Sequence, residues 1–381
     1  MTVSYWQINK NRQIQEADVL IVGAGLIGCA AAYFAAEMGH SVTIVDARDL
    51  AQGASGRNAG FMITGLDSYY HRAVAHYGEA VVKEMWALSR ESIGFWRSIV
   101  ARTGTVPYEQ CGSLLLAESA EEAAELALAA KALEQAGFDI VYHEKDPLGR
   151  GYHAAIEQPQ DGAVQPYELA QAVLSLSGAE LISSNPVYAI GQTEPEVVTV
   201  YTQKTIYRAR YVLLCTNAYS PFLDAFFVGK VIPTRAQALV TDPLPERVLH
   251  SCGYSRYGYM YYRCTFDNRF LIGGARDLYT DEEANTSEDR LNEHVQAALD
   301  AYIQRYFPDV QAPVAQRWSG IMGFSVDGLP QVGTLPGKPR VGYAVGFTGH
   351  GLSLGAGTAQ RAIDYLLKGT SPGAVDAKRL S

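Results

Sequence analysis

Residues 18–46 read DVLIVGAGLIGCAAAYFAAEMGHSVTIVD. An apolar run from Val19 to Val22 meets Gly23, Gly25 and Gly28. A small-residue segment follows, and a second apolar run from Val42 to Val45 ends on Asp46. The pattern predicts a strand, a tight turn, a helix and a parallel strand. Gly23 permits the turn, Gly25 admits the backbone of the turn to a pyrophosphate, and Gly28 lets the helix pack close on the strand. Leu26 and Ile27 open that helix, whose N-terminus turns its partial positive charge toward the phosphates. Asp46 lies 18 residues past Gly28, about where an acid takes the hydroxyls of a ribose. Strand, helix, second strand and acid in one register point to an adenine dinucleotide. They do not choose between a nicotinamide and a flavin.

Composition sets the outer bounds. The chain has 381 residues, 48% hydrophobic and 19% charged, which suits one or two globular domains. No apolar run reaches membrane-spanning length, and the first residues lack a signal-peptide core, so a cytoplasmic location is expected. Five cysteines (Cys29, Cys111, Cys215, Cys252 and Cys264) are scattered without a CxxC pair. That argues for reduced thiols and against a metal site. A net charge of -9 without a Lys/Arg cluster argues against nucleic acid as a partner. The sequence leaves the oligomeric state open.

Beyond Asp46 the alternation of strand and helix stops. Residues 78–104 predict one long amphipathic helix, with Val82, Met85, Trp86, Ile93, Trp96 and Ile99 near helical spacing. A strand is expected over 111–117, a helix over 119–136, and a turn at Asp161-Gly162 before a helix that starts after Pro166. From Val187 a small meander of strands feeds a buried strand at Tyr211–Cys215. More strands fill 232–275, with a turn at Asp267-Asn268. A helix over 286–306 follows, then a strand at 341–347 and a helix from Leu352 to Leu367. The expected fold is α/β. Residues 1–80, 145–230 and 325–381 would form a discontinuous Rossmann-like dinucleotide domain. Residues 81–144 and 231–324 would form a β-rich, α+β substrate-binding domain. A nicotinamide dehydrogenase would keep alternating strand and helix, so the break favours FAD.

Three further stretches carry chemistry. GASGRNAGF (53–61) offers hydrogen bonds from Ser55 and Asn58, charge from Arg57, and close backbone approach at Gly56 and Gly60. Such a loop can pass over a pyrophosphate and reach a flavin ring. GFTGHGLSLGAGTAQ (346–360) places His350 on a turn before a helix. Free N–H groups at that helix start would stabilise an anion, and a reduced flavin is one at its N1–C2=O edge. His350 could equally be a structural turn residue. WSGIMGFSVDGLPQVG (318–333) has glycines that allow approach to a planar ring, and a bend at Asp327-Gly328.

Together these stretches resemble the D-amino-acid oxidase superfamily, and within it the glycine oxidase, sarcosine oxidase and gamma-glutamylputrescine oxidase branch. The resemblance runs in order through the fingerprint at 23–28, Asp46, the ASGRNAG loop, the helix start at 161–170, Val187, LLCTNAYS (213–220), YYR…FLIGG (261–274), WSG…DGLPQVG and GFTGHGLS. Ser4-Tyr5-Trp6 ahead of the fold also looks like the putrescine-derivative oxidases. The resemblance implies a glutathione-reductase-type FAD-binding fold. Gly23, Gly25 and Gly28 would hold the pyrophosphate, Asp46 the ribose, and Ala47 and Arg48 would flank the adenosine. Ser55, Gly56, Arg57, Asn58 and Gly60 would run along the phosphates and flavin, with Phe61 and Met62 after them. Val187 would hold the adenine through its backbone. Thr216, Asn217, Trp318, Gly320 and Gly346 fall on cofactor-contacting motifs. Gly349, His350, Gly351, Leu352 and Ser353 would line the N1–C2=O side. The implied reaction is hydride transfer from the amine-bearing carbon to flavin N5. The imine then hydrolyses, and electrons pass to oxygen or another acceptor.

The sequence departs from the family where a substrate carboxylate would be held. Glycine-oxidase-like members carry an arginine before the DG turn, and Met322 stands there. Sarcosine-oxidase-like members carry a lysine shortly after GHG, and Ser353 stands there. The simplest reading is an amine substrate, or an amino acid held by another cation, with Arg263 and Arg276 as candidates. No cysteine follows Cys264, so FAD is expected to be non-covalent. No lysine lies between Lys230 and Lys338 to activate oxygen. In YSRYGYMYYR (254–263), Tyr257, Tyr259 and Tyr261 alternate and would share one strand face. Tyr259 falls near a substrate tyrosine of the glycine oxidases. Rival readings are a dehydrogenase subunit or non-catalytic flavoprotein of this fold, and an NADPH-dependent flavin monooxygenase.

Overall fold

The computed structural model describes Ser4, Trp6 and residues 12–380; Tyr5 of the opening tripeptide lies outside the described residues. The first strand, Gln13–Val22, runs parallel to Val42–Val45 on one side and to Thr205–Leu214 on the other. Glu180–Ile182 extends the sheet beyond Val42–Val45. Thr205–Leu214 then forks. Its first half pairs antiparallel with Val197–Thr202, which leads to Val187–Glu194. Its last residues pair in parallel with Lys338–Val345, whose other edge takes Gln331–Leu335. The end of the expected meander and the buried strand expected at Tyr211–Cys215 are thus one strand serving two neighbours.

Helices cover this sheet by close approach of small residues. Leu26–Glu37 has five alanines among its 12 residues and is buried along most of its length. The closing helix Gly351–Lys368 packs on it and on the long helix Glu79–Thr103. A Cβ at Gly355 would meet the Ile27 side chain at 2.3 Å, and one at Gly357 would meet Leu88 at 2.4 Å. Glu79–Thr103 ends at Gly104, which takes the left-handed conformation (φ 64) that glycine tolerates best.

The second sheet has eight strands in the order Val314–Ser325, Val231–Pro243, Arg269–Gly274, Met260–Cys264, Cys252–Ser255, Ser113–Leu116, Ala155–Gln158 and Val141–His143. Cys252–Ser255 and Ser113–Leu116 are the one parallel pair among them. Helix Glu293–Tyr306 buries Val295, Leu299 and Ile303 against the Leu239, Tyr262 and Phe270 side of this sheet. A small third sheet joins Phe61–Met62, Gly162–Val164 and Tyr108–Glu109, and ties the ASGRNAG loop to both layers.

Three expectations need correction. Residues 286–292 are not helical; Asn292 caps the helix that starts at Glu293. The Glu288 carbonyl instead accepts from Arg235, a buried guanidinium that also pairs with Glu283 at 2.8 Å. Tyr257, Tyr259 and Tyr261 do not share a strand face. Tyr257 has φ 54 in a tight turn at Arg256–Gly258, and the strand begins only at Met260. The chain also divides differently between layers. Ala155–Gln158 joins the second sheet between Ser113–Leu116 and Val141–His143, although 145–230 is expected in the dinucleotide domain. Glu79–Thr103 lies on the first layer because its buried face meets the closing helix. Among the described residues, no helix is long and apolar enough to cross a membrane.

Candidate active site

The dinucleotide end is a tight backbone turn. Gly23 has φ 111, and a Cβ there would meet the Cys215 carbonyl oxygen at 2.7 Å. A Cβ at Gly28 would fall 1.9 Å from the Gly23 carbonyl oxygen. These contacts bring the start of Leu26–Glu37 against the strand ends. The helix is capped by Gly25 without a side-chain acceptor, and its first turn holds no acid. Such a start is open to a phosphate. Asp46 Oδ2 accepts from the Ala24 N–H at 2.7 Å and Oδ1 from the Arg48 N–H at 2.8 Å. A carboxylate has lone pairs for about four such bonds, so acceptor capacity remains for ribose hydroxyls. Ser184 and Asn185 donate backbone N–H groups to the Arg48 and Asp46 carbonyls, which brings the approach to Val187 alongside. Arg48 lies over the Tyr219 ring at 5.0 Å. These residues fit an adenosine and pyrophosphate.

The ASGRNAG loop is held from both sides. Ser55 Oγ accepts from the Leu26 N–H at 2.9 Å, so the loop touches the fingerprint helix. Asn58 closes the loop on itself through the Ala54, Ser55 and Gly60 backbone. Arg57 donates to the Ser319 carbonyl at 2.8 Å, and Trp318 Nε1 donates to the Arg57 carbonyl at 2.9 Å. Across from it, Asn217 Oδ1 accepts from the Gly346 N–H at 2.9 Å. The closing helix begins after His350, with no side-chain cap and no acid in its first turn. This is a second helix start open to negative charge. Met62 is wholly buried in the main core, Ser353 is buried in the closing helix, and Phe61 packs edge-on to Tyr254.

A cavity opens beside His350. Thr64, Asp67, Tyr254 and Tyr257 line its near part. Burial raises the pKa of the Tyr254 phenol, so it stays protonated. Behind Thr64, Asp161 has no exposed surface. It accepts from the Thr64 N–H and hydroxyl, both at 2.9 Å, from Ser113 at 2.6 Å and from Gln158 at 3.1 Å. Burial outweighs those bonds and pushes the Asp161 carboxyl up to about 7.

The two candidate arginines differ. Arg263 is buried; its guanidinium donates to the Ala59 carbonyl at 2.7 Å, and to the Cys264 and Val164 carbonyls. It braces the loop that carries Gly60. Arg276 makes no hydrogen bond to any described residue. It lies over the rings of Tyr259 at 4.6 Å and Phe324 at 4.8 Å, with Asp67 Oδ2 at 3.5 Å. Phe324 follows Met322 by two positions on one strand, and Met322 Sδ lies 3.5 Å from where a Cβ at Gly349 would stand. Tyr259 therefore supports Arg276 with its ring. The residues that sequence reasoning missed are Asp67, Tyr254 and Asp161. Asp161 stands out in the sequence only as a turn residue and Tyr254 only as the start of a tyrosine run, because the cavity assembles from separate loops.

Comparison with known proteins agrees with this geometry. The model of a family described as DAO, FAD dependent oxidoreductase, matches residues 18–365. The chain is 26% identical over 375 residues to gamma-glutamylputrescine oxidoreductase of Escherichia coli, covering 92% of this chain and 84% of that protein. It is 26% identical over 373 residues to glycine oxidase of Pseudomonas aeruginosa, covering 93% and 95%. Among solved structures, glycine oxidase from Geobacillus kaustophilus superposes with a TM-score of 0.79 at 23% identity, over 94% of this chain and 96% of that one. L-Proline dehydrogenase from P. horikoshii superposes with a TM-score of 0.80 at 20% identity, over 96% and 98%. The chain belongs to the DAO family of FAD-dependent oxidoreductases, enzymes that oxidise the C–N bond of an amine or amino acid.

Proposed function

We propose that this enzyme oxidises an amine that carries a carboxylate, and that Arg276 holds that carboxylate. The observation behind the reading is the open guanidinium fork of Arg276 between two aromatic faces. Ring contacts fix its plane and leave its N–H groups for a planar, bidentate partner. Asp67 at 3.5 Å is at the limit of a hydrogen bond and does not occupy the fork. On this reading Arg276 makes up for the cation missing at Met322 and Ser353, while Arg263 keeps the ASGRNAG loop in place.

FAD supplies the hydride acceptor. The protein's part is to place the amine-bearing carbon, exclude water and stabilise charge. The helix start after His350 would stabilise negative charge on a bound flavin. Tyr254 stays a hydrogen-bond donor beside the substrate. FAD is held without a covalent link, the imine is released to hydrolyse, and oxygen takes the electrons in the cytoplasm.

The test is anaerobic flavin bleaching by matched pairs of compounds, each an amino acid and the amine that lacks its carboxylate. Amino acids should bleach the flavin at least 100-fold faster in kcat/KM. Equal rates for both members of each pair would overturn the reading. Peroxide formed in air, and flavin released by acid, test the acceptor and the non-covalent link.

A further inference from the structure

The cavity beside His350 continues inward past Asp67 to a wall that includes Trp86, Leu133 and Ile156. Ser68, Gln158 and Ser255 also line this cavity. Two polar atoms of its lining residues, the Trp86 indole N–H and the Tyr70 hydroxyl, have no hydrogen-bond partner among the described residues. Both residues line the cavity, and they are only 3% and 4% exposed. Their rings meet edge to face, 4.9 Å between centroids. The other indoles of the core behave differently. Trp96 donates to the Leu352 carbonyl at 2.8 Å, and Trp318 donates to the Arg57 carbonyl. A buried donor left without an acceptor is costly, so two on one cavity wall call for a ligand atom.

The surrounding charges narrow what that atom is. Burial keeps the Tyr70 hydroxyl protonated, so it is a donor. Glu122 is buried nearby and already accepts from the Tyr69 hydroxyl and from the Tyr257 and Glu118 N–H groups. Lys83, the cation closest in sequence, is paired with Glu79 at 2.6 Å. Arg72, over the Tyr69 and Tyr257 rings, is paired with Glu125 at 2.8 Å, so neither of these cations is free to neutralise an anionic tail, and an ammonium would add donors to donors.

We propose that the substrate carries a straight, largely apolar side chain ending in a neutral hydrogen-bond acceptor, such as an amide carbonyl, and that Trp86 and Tyr70 receive that acceptor at the inner end of the cavity. The proposal rests on the reading that Arg276 fixes the carboxylate at the flavin end. Trp86 and Tyr70 are then specificity residues, remote from the reacting carbon.

Binding of unreactive ligands to the FAD-loaded enzyme tests this without turnover. The probes are straight-chain carboxylic acids of increasing length and their counterparts ending in a primary amide, followed through the flavin spectrum and intrinsic fluorescence. Affinity should rise about fourfold per methylene until the wall is reached. The amide of matching length should bind roughly three- to tenfold more tightly than the alkyl chain of equal size. Tyr70→Phe, which removes only the hydroxyl, and independently Trp86→Phe, should each lower the ratio of amide to alkyl affinity at the matching length. No dependence on chain length would overturn the proposal. So would an amide bound no better than its alkyl equivalent, the result if water satisfies both donors, or an amide advantage that survives both substitutions. Arg276→Gln should weaken every ligand of both series alike. If it does not, the carboxylate reading fails while the chain-length and Trp86 results still judge the tail.

Discussion

The two ends of the site are built on opposite plans. At the dinucleotide end the polar groups of the protein answer one another: Asp46 holds the Ala24 and Arg48 N–H groups, Ser55 holds Leu26, and Asn58 closes its own loop. At the substrate end, Arg276, Trp86 and Tyr70 keep donors that no described residue accepts. On the proposed reading the cofactor is met by backbone shape, and the substrate by side chains left open. The contrast can be broken or sharpened by substitutions on either side.

The largest effect is expected at the fingerprint. In Gly28→Ala the new Cβ meets the Gly23 carbonyl oxygen, which is backbone and cannot swing aside. The purified variant should be colourless, by the ratio of flavin to protein absorbance, or should fail to fold by far-UV circular dichroism. A yellow, folded variant would mean that the close approach is dispensable. Next is Arg276→Gln, for which kcat/KM toward carboxylate-bearing amines should fall by about two to three orders of magnitude. Stability should barely change, because Arg276 has no hydrogen bond to lose. Arg263→Met should do the reverse. Three backbone carbonyls lose their donor, for about 2–4 kcal/mol of stability by urea unfolding, while the KM of the variant that still folds stays near the parent value.

Asp161 gives a pH signature. Its folded carboxyl titrates at about 7, above its ordinary 3.8. The native state therefore holds this proton to higher pH than the unfolded chain does. The group's contribution to stability is largest at low pH and is lost as pH rises from about 4 through 7. Relative to Asp161→Asn, the parent should lose on the order of a few kcal/mol between pH 5 and pH 8. A constant difference across that range would show that Asp161 is ionised throughout. The smallest effect is Ser55→Ala, about 1 kcal/mol for a lost helix cap, read as a modest drop in Tm of the FAD-free protein.

The same contrast explains what the sequence revealed. The glycine spacing, Asp46 and the GHG turn are legible because backbone constraints act locally: only certain residues fit a crowded turn, and they sit at fixed offsets. The helix start after Pro166 and the long helix before Gly104 are legible for the same reason. Arg276 and Arg263 look alike in the sequence. Their difference comes from Phe324, on a strand that follows some 48 residues later, and from carbonyls of the ASGRNAG loop. Trp86 reads as one more apolar position of an amphipathic helix, which its ring is. Only the missing acceptor for its N–H sets it apart. The tyrosine run misleads because alternation implies a strand, whereas Arg256 and Tyr257 both take positive φ and turn the chain before the strand starts.

The forked strand also orders events in time. Gln13–Val22 pairs early with Val42–Val45, but its other edge finds a partner only at Thr205–Leu214, and that strand gains its second parallel neighbour only at Lys338–Val345. The fingerprint helix is covered last, by Gly351–Lys368. At roughly 5–20 residues per second on the ribosome, the first-made segment waits through most of synthesis before its sheet is complete. Contacts so distant in sequence also close slowly once the chain is free. Cofactor capture therefore belongs to the end of folding, and a nascent chain stalled before residue 351 should be recognised by chaperones as unfinished.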